Sequence, residues 1–127
     1  MRVKDKVAII TGSGTGMGKA TAILFAQEGA KVVVADRDFS SAEKTVAEIK
    51  NSGGQAMAIE IDVSKEKSVA DGFKKAVQEF SKIDILVNCA GINGVNKWTH
   101  EVEEAEWDAV FAVDVKGVFF CSKHAIP

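Results

Sequence analysis

Thr11-Gly12-Ser13-Gly14-Thr15-Gly16-Met17-Gly18 follows directly on the apolar run Val7-Ala8-Ile9-Ile10. Four glycines in eight residues, behind a short β-type run and ahead of a helical pattern, describe a turn free of Cβ atoms. Backbone there can come close to a bound group, with the N–H groups of a helix start aimed at it. Such a turn suits a pyrophosphate. A glycine-rich loop can also do no more than turn the chain, so the choice rests on its surroundings.

The spacing separates this loop from its commoner relatives. G-x-G-x-x-G fails, because Gly12 and Gly14 would need a third glycine where Met17 stands. A phosphate-binding P-loop fails as well, since Gly18-Lys19 is followed by Ala20. T-G-x-x-x-G-x-G fits, carried by Thr11, Gly12, Gly16 and Gly18, with Gly14, Thr15 and Met17 as the other contact candidates. The context agrees: a strand precedes the loop and a helix follows it.

Outward from the loop, two periodicities alternate. The pattern predicts a helix from Met17 to Gln27 with Met17, Ala20, Ile23, Leu24 and Gln27 along one side, stopped at Gly29. Residues 31–35 read as a second buried strand. Ser40 and Glu43 have capping-box spacing for a helix with Ala42, Val46 and Ile49 inward, ended by Gly53-Gly54. A third strand runs through Met57, Ile59 and Ile61. Ser64 is placed to cap a helix whose stripe is Val69, Phe73, Ala76, Val77 and Phe80.

Residues 83–87 form the fourth strand. A polar loop with Gly91, Asn93, Gly94 and Asn96 then leads to one long helix from about Glu103 to His124. Trp107, Val110, Phe111, Val118 and Cys121 share a side of it. Buried strands alternating with helices predict an α/β parallel sheet covered on both faces, a single unit over residues 1–127.

Asp36 tests the loop independently. It closes the second strand 18 residues beyond Gly18, where a carboxylate accepts hydrogen bonds from an adenosine ribose. Its charge repels a 2′-phosphate and so favours NAD over NADP, whereas the guanidinium of Arg37 pulls the other way. The loop itself holds no basic residue at Ser13, Gly14 or Thr15, which leaves NAD preferred. The alternative for Asp36 is a solvated residue at a strand end.

Composition limits the remaining function classes. A formal charge of −2 offers no basic field for nucleic acid. The apolar runs are too short for a membrane span or a signal-peptide core, so the cytoplasm is the expected compartment. Cys89 and Cys121 lack metal or redox spacing, and His100 and His124 have no ligand partner at a useful distance, so no metal is expected.

Together these residues resemble the short-chain dehydrogenase/reductase family. Asp62-Val63 after the third strand looks like the pair that holds adenine in that family. Asn88-Cys89-Ala90-Gly91 looks like its N-N-A-G motif, with Cys89 for the second asparagine. Trp107-Asp108 and residues 115–119 match the helix beyond. The resemblance implies a Rossmann-type doubly wound sheet in the order 3-2-1-4, NAD as cofactor, and hydride transfer to or from an alcohol or carbonyl substrate. It places the pyrophosphate on residues 12–18, the adenosine ribose on Asp36 and the adenine on Asp62-Val63. Asn88, Ala90 and Gly91 are placed beside the nicotinamide-side ribose. A complete member is expected to be a homo-oligomer.

Two departures follow from the same resemblance. Asp114 stands where the family's N-V-x-G motif has a catalytic asparagine. Its backbone role survives the change, and its side chain, on the face of Trp107, Val110 and Val118, needs a partner or a raised pKa. The alternative is an aspartate with no part in catalysis. The family's serine and Tyr-x-x-x-Lys lie beyond the helix after the fourth strand, and these 127 residues contain no tyrosine. The chain alone is therefore expected to be inactive, the cofactor-binding part of an oxidoreductase. The rival classes are a non-enzymatic dinucleotide-binding module and an inactive truncated product. If the chain stops at Pro127, residues 83–87 are expected to form an exposed apolar edge that leaves the chain unstable, aggregated or completed by a partner chain.

Overall fold

The structure, a computed structural model, describes residues 1–127. The strands β1 (Val7–Thr11), β2 (Lys31–Asp36), β3 (Gln55–Glu60) and β4 (Ile85–Asn88) form one parallel sheet in the order β3-β2-β1-β4. Between and after them lie helices α1 (Gly16–Gln27), α2 (Phe39–Asn51), α3 (Glu66–Phe80), α4 (Glu104–Asp114) and α5 (Lys116–Ala125). None of the helices is long and apolar enough to cross a membrane. This is the doubly wound order that the resemblance implied.

Alternation along the strands sorts the core into two layers. Ile9, Val33 and Ile59 meet Val69, Phe73 and Ala76 of α3 and Cys121 of α5 on one face. Ile10, Val32 and Val34 meet Ala22 of α1 and Ala42, Val46 and Ile49 of α2 on the other. Both central strands are buried throughout except at the ends of β2, which is why they carry unbroken apolar runs.

Several local expectations are corrected. The residues grouped along one side of α1 do not face the core: Met17, Ala20, Leu24 and Gln27 are exposed, Ile23 is half-buried, and Gly18 and Ala22 are buried. Close packing of Gly18 on the carbonyl of Gly12 sets the rotation of the helix, and no stripe count contains that contact. Helix α2 is capped by Asp38, whose carboxylate accepts from the Ser41 N–H at 3.3 Å and the Ser41 hydroxyl at 2.8 Å, so Ser40 is not the cap. Ser64 does not cap α3. Its hydroxyl donates to Asp62, and Lys65 occupies the cap position with no side-chain bond.

The long terminal helix is in fact two, divided at Val115 (φ −111°, ψ −61°). Gly117 packs so closely on Val63 that a Cβ would lie 2.7 Å from Val63 Cγ2, and this contact seats α5 against the sheet. Of the side expected to be inward, only Cys121 is buried. Trp107 is 58% exposed and stacks on Phe111 at 4.6 Å, and α4 packs against α5 rather than the sheet.

Strand β4 also starts later than expected. The Asp84 carboxylate takes the Val7 N–H at 2.9 Å, a bond the ladder would otherwise supply, so regular pairing begins at Ile85. Val77 is likewise exposed rather than part of the α3 stripe.

The two thiols have opposite environments. Cys121 is fully buried, and burial pushes its pKa up to about 11, whereas Cys89 is exposed. Native alkylation at mildly alkaline pH is expected to label Cys89 and spare Cys121, as read by peptide mass mapping. The neutral thiol is the form the core favours. Its contribution to stability is therefore intact below pH 9.0 and fades as the pH rises to about 11. Equal labelling of both cysteines in the folded chain would contradict the buried assignment.

Candidate functional site

The strands end level with one another: Thr11 of β1 lies opposite Ala35 of β2 and Asn88 of β4. From β1 the chain runs to one side for β2 and β3, then crosses to the other side for β4. Ligands of open α/β sheets bind in the crevice at such a switch point, outside the carboxyl ends of the strands. A cavity of about 290 Å³ occupies this place. Its wall takes Gly12, Thr15, Met17 and Gly18 from the glycine loop, and Asp36 and Arg37 from the end of β2. Ile61, Asp62 and Val63 come from the segment after β3, and residues 89–92 and Val113 close the far side.

The loop is packed from behind and open in front. Gly12 has φ +62°, and a Cβ there would sit 2.8 Å from the Ala90 backbone. At Gly18 a Cβ would overlap the Gly12 carbonyl oxygen. Gly16, at φ +59°, faces open space. Helix α1 starts here with no side-chain cap at Thr15 and no acidic residue in its first turn. Its first N–H groups lack intrahelical acceptors and carry the positive end of the helix dipole beside the cavity. A negatively charged group fits that position.

Each carboxylate of the site is held by backbone. Asp36 Oδ2 accepts from the Gly14 N–H and Oδ1 from the Asp38 N–H, both at 2.9 Å. The Asp62 carboxylate accepts from the Ser64 hydroxyl at 2.6 Å and the Ser64 N–H at 3.0 Å. Partial burial raises the pKa of Asp62. The two Ser64 bonds, with the charges of Lys65 and Arg37, outweigh this and hold it below the ordinary value. Asp62 is thus a fixed anion at the cavity wall at neutral pH.

The far side of the cavity is tied to β1 and α4. Thr11 Oγ1 accepts from the N–H groups of Cys89 at 3.2 Å and Ala90 at 3.1 Å. Asp114 finds the partner its position requires: Oδ1 accepts from the Ile92 N–H at 2.9 Å and lies 3.3 Å from where a Gly91 Cβ would be. An asparagine amide oxygen would accept the same bond.

Most of the sequence-predicted residues converge, with exceptions. Gly14 and Gly16 belong to the loop but not to the cavity wall, and Gly14 is buried behind it. Asn88 ends β4 exposed and outside the wall. Asp114 acts on the wall from behind through Ile92. Ile61, Ile92 and Val113 line the cavity without having been singled out, because apolar wall residues share the pattern of core residues, and Cys89 was named only as part of its motif. Thr45, fully buried and bonded to the loop, was also missed. Its signal was a polar residue between Ala42, Val46 and Ile49 on the inward side of α2.

Comparisons with known proteins agree with this geometry. The sequence profile of the family described as short chain dehydrogenase matches residues 6–127. The chain is 44% identical over 129 residues to an uncharacterized oxidoreductase of Bacillus subtilis, covering 99% of this chain and 46% of that protein. It is 39% identical over 127 residues to meso-2,3-butanediol dehydrogenase of Serratia marcescens, covering 100% of this chain and 49% of that protein. Its backbone matches a 3-ketoacyl-(acyl-carrier-protein) reductase of Brucella melitensis complexed with NADH, with a TM-score of 0.92 and 42% identity. That match covers 98% of this chain and 50% of that one. The chain spans about half the length of the curated relatives it matches. On the fold, the loop and these likenesses together, the chain belongs to the short chain dehydrogenase family.

Proposed function

We propose that these 127 residues are the dinucleotide-binding part of an NAD-dependent oxidoreductase that moves a hydride between nicotinamide and an alcohol or carbonyl substrate. The observation that carries the reading is the cavity at the strand ends, with an uncapped helix start on one side and two carboxylates on the other. When bound, the nicotinamide ring supplies the hydride acceptor or donor.

The chain's own residues bind and orient. The backbone of residues 12–18 suits the pyrophosphate, where a Cβ at Gly12 or Gly18 would close the cradle. Asp36 is assigned the adenosine ribose: a carboxyl oxygen already accepting one N–H has a further lone pair for a ribose hydroxyl. Asp62 and Val63 are assigned the adenine, and Asn88, Ala90 and Gly91 the nicotinamide-side ribose. Asp114 is assigned the positioning of the turn at Ile92, which supports the wall from behind.

Selectivity for NAD rests on Asp36. Its charge is held at the cavity wall by two backbone N–H groups, so a 2′-phosphate there meets a fixed anion. Arg37 also reaches the wall and opposes this preference. Titration of NADH and NADPH, followed by nicotinamide fluorescence, is expected to show tighter binding of NADH. Tighter NADPH binding would mean that Arg37 dominates.

The same sample is expected to show no turnover of simple secondary alcohols. General acid–base catalysis needs a proton donor within hydrogen-bond reach of the substrate oxygen, and the cavity wall holds no tyrosine, histidine or lysine for that role. Steady NAD reduction by these 127 residues would overturn that part of the reading.

A further inference from the structure

Gly14 is held from behind by two side chains at once. Its N–H donates to Asp36 Oδ2 at 2.9 Å, and its carbonyl accepts from Thr45 Oγ1 at 3.3 Å. Thr45 is fully buried on the inward side of α2. Its hydroxyl also lies 3.4 Å from the Ser41 carbonyl. That carbonyl sits one turn back in α2, where the helix ladder supplies its donor. The Gly14 carbonyl has no donor other than Thr45. A buried carbonyl without a partner is costly, so the single hydroxyl hydrogen belongs on Gly14.

Planarity of the peptide turns this buried bond into an orientation at the cavity. In a trans peptide the C=O and the following N–H point in opposite directions, and the chain has no cis peptide. Holding the Gly14 carbonyl toward α2 therefore turns the Thr15 N–H away from α2, and Thr15 joins the cavity wall. Space leaves no slack for a different placement. A Cβ at Gly14 would come within 2.7 Å of Ser41 Cβ and 3.1 Å of the Ala42 nitrogen.

We propose that Thr45 is a positioning residue for dinucleotide binding, acting through the Gly14–Thr15 peptide to aim a backbone donor at the pyrophosphate. The inference rests on the reading of the cavity as a dinucleotide site. It explains why a polar side chain stands among Ala42, Val46 and Ile49, where an aliphatic residue would serve packing alone.

The test compares the unsubstituted chain with Thr45→Val, Thr45→Ala and Thr45→Ser, titrated with NADH and, separately, with adenosine, which has no pyrophosphate. Thr45→Val keeps the shape and removes the hydroxyl. Thr45→Ala removes the hydroxyl together with the methyl group, in a better helix former, and carries the test if the Val variant does not fold. Loss of the bond is expected to weaken NADH about fivefold in both, with adenosine unchanged. Thr45→Ser restores the hydroxyl and is expected to restore NADH binding.

If the Val and Ala variants bind NADH as the unsubstituted chain does, the inference is overturned while the cavity reading stands. If NADH and adenosine weaken together, Thr45 is a packing residue and the inference again fails. An unsubstituted chain that binds neither NADH nor NADPH overturns the cavity reading, and this inference with it.

Discussion

Gly18→Ala is expected to lower NADH affinity by about a hundredfold, the largest effect of any single methyl group in this chain. The added Cβ overlaps the Gly12 carbonyl oxygen, which is backbone and has no rotamer by which to move aside. Either α1 backs away from the loop or the Gly12 peptide rotates, and each displaces the N–H groups that face the cavity. Overpacking of this kind costs about 1–3 kcal/mol, and its upper end corresponds to about a hundredfold in binding. Gly16→Ala is the comparison. It carries a positive φ but opens onto free space, so it loses only about 1–2 kcal/mol to backbone strain. Fluorescence titration and a urea midpoint for each variant separate the two costs. Equal losses in both would mean that strain, not the close approach of α1, governs the loop.

Asp36→Ala carries the second large effect, since one side chain serves three tasks. It holds the Gly14 N–H, holds the Asp38 N–H and presents a charge to the cavity. Removing it is expected to weaken NADH about tenfold and to narrow the preference over NADPH, because the fixed anion that opposes a 2′-phosphate is gone. Asp36→Asn separates the tasks. The amide keeps an acceptor for one of the two N–H groups and loses the charge. It is expected to narrow the cofactor preference as far as Ala does, with a smaller drop in the urea midpoint. A preference unchanged in both variants would remove Asp36 from the cofactor site.

Much of the architecture was legible in the sequence because the sheet is parallel. Strands buried on both faces must be apolar throughout, so residues 7–10 and 32–35 announce themselves by composition. The glycine loop was legible for a related reason: only a backbone without Cβ atoms tolerates the contacts at Gly12 and Gly18. Asp36 was legible from its distance along the chain, which a β-α-β unit translates into adjacency.

Helix faces were less legible. The stripe Met17, Ala20, Leu24 and Gln27 has good helical spacing yet faces outward, because one contact at Gly18 overrides the count. Trp107 and Phe111 look like core residues but stack on each other at the surface. Helix caps were mistaken where several oxygens compete: Asp38 outranks Ser40, and Ser64 is drawn to Asp62. Thr45 gave only the faint signal of a hydroxyl among aliphatic neighbours.

The sequence by itself determined the order of strands and helices, the loop without Cβ atoms and the carboxylate at the end of the second strand. These are properties of local spacing and composition, and they survive without knowledge of what packs where. Only the tertiary structure decided which face of α1 is buried, that Asp114 holds Ile92, and that Thr45 stands behind Gly14. The last two contacts join residues 22 and 31 positions apart, and their geometry exists only once the helices are seated on the sheet.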